Sequence, residues 1–141
     1  MTPDIIRAIG IRRKDLELFY KIESVIQNCG DVMLDSDRLV SCHMVTRALA
    51  KFFQLKYVDG HFGDGAWEHS WLILGKDLII DAYPWSMVGG PTLVHVGLMS
   101  PWRRLYTEFE IPRLKKDTFK KDTIKVTEEI EKTIKRLGIS I

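Results

Sequence analysis

Cys42, His69 and Asp81 carry the three side-chain types that nucleophilic acyl chemistry requires, and their order along the chain suits it. Cys42 follows Leu39-Val40-Ser41 and opens the apolar helical pattern that runs to Phe53, while His69 and Asp81 fall on two neighbouring β-type runs. A thiol becomes a catalyst with three kinds of help: a helix N-terminus that favours thiolate, an imidazole that holds or moves its proton, and a third group that orients the imidazole. At a helix start the dipole stabilises an anion by about 0.3–1 kcal/mol. The same first-turn amides can bind an oxyanion, where one backbone donor is worth about 2.7–4 kcal/mol in a tetrahedral intermediate.

The runs His69–Leu74 and Leu78–Tyr83 flank Gly75-Lys76-Asp77 and predict a hairpin whose register decides whether imidazole and carboxylate can meet. A loop of Leu74 to Lys76 sets His69 directly opposite Asp81, and a loop of Gly75 to Asp77 sets them diagonally on one face. A two-residue loop Gly75-Lys76 sends them to opposite faces unless a bulge intervenes. In the productive registers the carboxylate accepts from one ring nitrogen and leaves the other for sulfur.

Other residues compete for these roles. Taken alone, a cysteine early in an amphipathic helix is commonly a small buried hydrophobe, and it is the spacing of His69 and Asp81 that argues for more. His43 projects about 100° around the helix from Cys42, which makes it a poor base. His61 lies in a glycine-punctuated stretch without an orienting partner, and His95 sits in an apolar strand pattern where a structural histidine is expected. Cys42, His43, His61 and His69 lack metal-ligand spacing, so neither zinc nor another metal is implied. Gly60, Gly63 and Gly65 precede a strand pattern rather than a helix, so no nucleotide cofactor is implied. Of the nearby aromatics, Trp67 and Trp85 are the expected rim of a substrate cleft, and Trp71 and Tyr83 are expected to pack. Gln27 or Asn28 could offer a second oxyanion donor if the first helix ends beside Cys42.

The elements that must position these groups follow from periodicity. Leu16, Phe19, Ile22 and Val25 or Ile26 predict a first helix over Asp15–Asn28, ended at Cys29-Gly30. The acidic stretch Asp31–Asp37 reads as a loop, and Ser41, Ser36 or Asp37 as the cap of the next helix, whose stripe Val45, Leu49, Phe52 and Phe53 faces inward. Lys56–Val58 predicts a strand and Asp59–Gly65 a mobile loop; Thr92–Gly97 predicts a further strand, and Arg103–Ile111 another strand or an extended segment. Thr127 is the expected cap of a last helix with Ile130, Ile134 and Leu137 on one face and Gly138 at its end. The sheet is antiparallel if its strands meander.

The 141 residues, 45 % apolar and 28 % charged, suit one domain with a real core over 1–141. Residues 113–141 hold nine Lys or Arg against five acids, which predicts a basic helical segment with a solvated face; nucleic-acid binding is not the expected use. Two cysteines, no secretory pattern over Met1–Arg13 and no run of about 20 apolar residues predict a cytoplasmic chain with reduced thiols and no membrane span.

The segments Ser41-Cys42-His43, Asp59-Gly60-His61-Phe62, Glu68-His69-Ser70-Trp71-Leu72 and Ile79-Ile80-Asp81-Ala82-Tyr83-Pro84 together resemble the transglutaminase-like superfamily of papain-like thiol enzymes. The resemblance covers about Asp37 to Trp85, and His-Ser-Trp is similar to the His-Ala-Trp of the leader peptidases of lasso-peptide maturation. It implies an α+β fold in which a central helix starting at the nucleophile packs on an antiparallel sheet, with N- and C-terminal helices flanking it. It also implies Cys42 as nucleophile, His69 as base and Asp81 as orienting acid, acting on a peptide, isopeptide or glutamine-type amide of a peptide or protein substrate. The Arg-Gly-Gly-Cys signature of the related acetyltransferases is absent, so coenzyme A is not implied. The competing expectations are a binding module of the same fold without turnover and a purely structural thiol.

Overall fold

The computed structural model describes residues 11–29, 40–64, 67–82 and 91–141. Among them the chain is α+β, with three α-helices and a five-stranded antiparallel sheet. Helix α1 spans Arg13–Asn28 and helix α2 Cys42–Phe53; strands β1 (Lys56–Phe62), β2 (Trp67–Leu74), β3 (Leu78–Asp81) and β4 (Thr92–His95) follow. A 3-10 turn over Pro101–Leu105 leads to β5 (Tyr106–Glu108), another over Pro112–Lys115 follows, and helix α3 covers Asp117–Leu137. The sheet order is β4-β3-β2-β1-β5, so the first four strands meander and β5 returns to the outer edge of β1.

Alternation along the strands divides the apolar residues between two layers. Leu72, Leu74, Leu78, Ile80 and Leu93 face the helices and join Phe19, Ile22 and Val25 of α1, Val45, Ala48 and Leu49 of α2, and Val126, Ile130 and Ile134 of α3 in the main core. Trp71, Ile79 and Val94 form a smaller cluster on the other face, against Val58, Val96 and Tyr106. At about 25 cal/mol per Å² of buried apolar surface the main cluster is the dominant stabilising term. Its residues come from all three helices and from β2, β3 and β4, so it locks α2 onto the sheet.

Two sequence expectations are corrected. Asp59–Gly65 is not a loop throughout: β1 continues to Phe62, pairing with β2 on one side (Gly60↔His69) and β5 on the other (Gly60↔Glu108). Gly60 belongs to this strand because a Cβ there would collide with the Thr107 carbonyl oxygen and come within 2.7 Å of the Trp71 ring. The last helix starts at Asp117, ten residues before Thr127, which lies mid-helix with its hydroxyl donating to the Thr123 carbonyl at 2.7 Å. Burial of Phe119 and Val126 carries the helix back through that region. Gly138, at φ +67, ends it in a left-handed cap.

Candidate functional site

Helix α2 begins at Cys42, as its apolar periodicity predicts, with Ser41 in the extended N-cap position. Ser41 makes no side-chain cap bond, and its hydroxyl oxygen is buried without a partner among the described residues. The amides of Met44 and Val45 already donate to the Ser41 carbonyl, both at 3.2 Å. Those of Cys42 and His43 come before the first amides bonded within the helix and lie in the first turn, at the positive end of the dipole.

The β2–β3 ladder pairs Leu72↔Ile80, Ile73↔Ile79 and Leu74↔Leu78, which makes Gly75 to Asp77 the loop and places His69 diagonal to Asp81 on one face. Gly75, at φ +67, adopts the left-handed turn conformation that glycine tolerates. His69 Nε2 lies 2.9 Å from both Asp81 oxygens, and His69 Nδ1 lies 3.3 Å from Cys42 Sγ. By strand alternation His69 shares the face of Trp71 rather than the helix-packed face of Leu72. It meets the sulfur beyond the last described β2–β3 pair, Leu72↔Ile80. His69 is fully buried, Asp81 is 1 % exposed, and Cys42 is partly open.

A carboxylate only accepts, so Nε2 carries hydrogen and Nδ1 is left to exchange a proton with the thiol. Burial by itself pushes the His69 pKa down, but its hydrogen bonds to Asp81 and Cys42 and the charge of those partners outweigh it and raise it to about 9. His69 is therefore charged at neutral pH.

Asp81 has a second donor that sequence reasoning missed. The Tyr106 hydroxyl donates to Asp81 Oδ2 at 2.9 Å, and burial followed by the Asp81 charge raises its pKa, keeping it a neutral donor. Nothing in the sequence could place it, because β5 reaches the site only through the non-local return to β1. Phe62, Trp71 and Tyr106 wall the imidazole: the Phe62 ring stands edge-on at 5.8 Å, and Tyr106 packs 5.1 Å from both Phe62 and Trp71. Such walls keep water from the imidazole–carboxylate pair and strengthen it.

Of the other expected site residues, Trp67 is exposed on β2, opposite Phe62 and on the face of His69. Trp71 packs, at 4 % exposure. Trp85 and Tyr83 lie outside the described residues, as do Ser36 and Asp37. Asn28 uses its side-chain amide on the Ser24 carbonyl at 2.7 Å, and Gln27 is exposed on α1. His61 stacks on Phe109 with ring centres 4.3 Å apart, and His95 takes the Gly97 amide on Nδ1. Neither has a described contact with Cys42.

His43, set aside as a base, has another bond pattern. Its Nδ1 lies 2.6 Å from Ser70 Oγ, and its Nε2 lies 3.3 Å from an Arg113 guanidinium nitrogen. Burial and then the Arg113 charge lower its pKa to about 4, so the ring is neutral at pH 7. Ser70 donates in turn to Asp59 Oδ1 at 2.6 Å, and Arg47 grips both Asp59 oxygens at 2.9 and 2.6 Å. Cys29, the other thiol, is also unbridged and half-buried; burial raises its pKa, partly offset by a hydrogen bond to Thr133.

Among the described residues no cluster of His, Cys, Asp and Glu could hold a metal, and no helix is long and apolar enough to cross a membrane. Comparison with protein-family profiles, with curated proteins and with solved structures gave no match, and the site stands on its own geometry.

Proposed function

We propose that this chain is a thiol enzyme of the transglutaminase-like type, which attacks a peptide, isopeptide or glutamine-type amide through Cys42 and passes through a thioester. The observation that carries the reading is one imidazole shared between a helix-start sulfur at 3.3 Å and a buried carboxylate at 2.9 Å. A structural thiol needs no such partner, and a histidine inert in a core needs no counter-charge. The helix opening at the thiol and its packing on an antiparallel sheet support the papain-like form of the fold.

In this mechanism the Cys42 thiolate adds to the amide carbon, and the oxyanion forms against the α2 first-turn amides. The His69 imidazolium gives its Nδ1 proton to the leaving amine, the C–N bond breaks, and the acyl group remains on sulfur. Neutral His69 then takes a proton from water or an amine as that nucleophile attacks the thioester, and the thiolate leaves. Asp81 and Tyr106 hold the ring in one tautomer throughout.

A mixed-sequence peptide vinyl sulfone library tests the reading. It is expected to label the protein at Cys42. A peptide amide carrying the trapped sequences is expected to be turned over by the protein and only at background rate by Cys42→Ala. Labelling confined to Cys29, or turnover that survives in Cys42→Ala, contradicts it.

A further inference from the structure

The nucleophile and its base each have a sequence neighbour in a second buried network. Cys42 adjoins His43 on α2, His69 adjoins Ser70 on β2, and the 42–69 contact is matched by the 43–70 contact at 2.6 Å. Adjacent strand residues point to opposite faces, and adjacent helix residues diverge by about 100°. The helix start is thus tied to the strand on both sides of β2. A single contact leaves a helix free to swivel about it; two at consecutive positions fix both its height and its rotation.

Every proton in the second network has one place. Arg113 donates to His43 Nε2, so the ring hydrogen sits on Nδ1 and donates to Ser70 Oγ, whose own hydrogen goes to Asp59. Arg47 holds Asp59 with two bonds and also donates to the His43 carbonyl at 3.2 Å, joining β1 to the first turn of α2. His43 and Ser70 are 2 % and 0 % exposed. Burying this many polar groups is tolerated only when each is satisfied, and a satisfied network is rigid.

We propose that His43, Ser70 and Asp59 form a clamp that sets the sulfur–imidazole geometry, with Arg113 fixing the tautomer of His43. They are positioning residues for thiol chemistry, and the inference rests on the thiol-enzyme reading above. Arg113 reaches the clamp from the 3-10 turn before α3 and is half-exposed where it pairs with Glu68 at 2.9 Å. It is therefore the point at which the surface touches the site's alignment.

The test is iodoacetamide alkylation of Cys42 from pH 5 to 9, with Cys29 as internal reference and near-ultraviolet circular dichroism to confirm folding. Misplacement on the order of 1 Å lowers reactivity by about 10- to 100-fold. Ser70→Ala and His43→Ala are expected to slow Cys42 by that factor and give it the pH dependence of Cys29. His43→Asn, whose amide can donate in place of Nδ1, is expected to recover most of the rate. Arg113→Met, a half-exposed change that folds even if the buried variants do not, is expected to slow Cys42 by several-fold. Folded variants with an unchanged Cys42 rate and pH profile overturn the clamp, and where only Arg113→Met folds, its unchanged profile does so. Wild-type Cys42 reacting no faster than Cys29 overturns the thiol-enzyme reading instead.

Discussion

Asp81→Ala is expected to destabilise the fold by about 3–5 kcal/mol, the usual consequence of stripping one member from a buried charged pair. Asp81 is the only described acceptor for His69 Nε2–H and for the Tyr106 hydroxyl; when it is removed the fully buried imidazole and the partly buried hydroxyl both lose their partner. A neutral donor left unsatisfied costs about 1–3 kcal/mol, and the imidazole also loses the charge that raises its pKa. Asp81→Asn separates these effects. Its carbonyl oxygen can still accept from Nε2, so the stability loss is smaller than for alanine, but the counter-charge is gone and Cys42 should react markedly more slowly at pH 7. Urea denaturation gives the first quantity and alkylation kinetics the second; an alanine variant within about 1 kcal/mol of wild type contradicts the buried-pair account.

The second large effect is a stability maximum near pH 6.5 flanked by losses of separate origin. The folded-state pKa of His43, about 4, lies below the unfolded value of about 6.5. As pH falls from 6.5 towards 4 the unfolded chain binds a proton that the folded chain refuses, and stability drops by on the order of 3 kcal/mol. His69 has the opposite sign. With a folded pKa of about 9, its contribution is fully present below about pH 6.5 and is lost as pH rises through 9, again on the order of 3 kcal/mol. Asp59 does not confuse the acid limb. Burial works against its ionisation, yet Arg47 and Ser70 hold its pKa below the ordinary carboxylate range, so its contribution is lost only at lower pH. Urea melts at pH 4.5, 6.5 and 9.5 should show both losses, with His43→Gln removing the acid one and His69→Gln the alkaline one. A flat profile, or an acid loss unchanged in His43→Gln, contradicts this assignment.

Two parts of the central geometry were legible in the sequence because they are local, whereas the Cys42–His69 contact spans 27 residues. The start of α2 followed from the apolar stripe after Cys42, and the register from the short loop Gly75 to Asp77, one of three that the hairpin allowed. The misreadings share a cause: long-range contacts overrode local signals. Gly60 looked like loop punctuation, but it is the residue that lets β1 pass the Trp71 ring and β5. Thr127 looked like a cap, but with Thr123 and Thr133 it donates to the carbonyl four residues back while apolar burial carries α3 past it. Tyr106 and Arg113 arrive from segments without local periodicity, and no short-range pattern marks them as neighbours of Asp81 or His43.

The most direct measurement of whether Cys42 is an activated nucleophile is the ratio of its alkylation rate to that of Cys29 in the native protein at pH 7, read peptide by peptide by mass spectrometry. Both thiols are unbridged and neither is fully buried, but only Cys42 has a charged imidazole within 3.3 Å. The account predicts that Cys42 reacts at least about tenfold faster and loses that advantage in His69→Ala. Equal rates, or an advantage that persists without the imidazole, would contradict it.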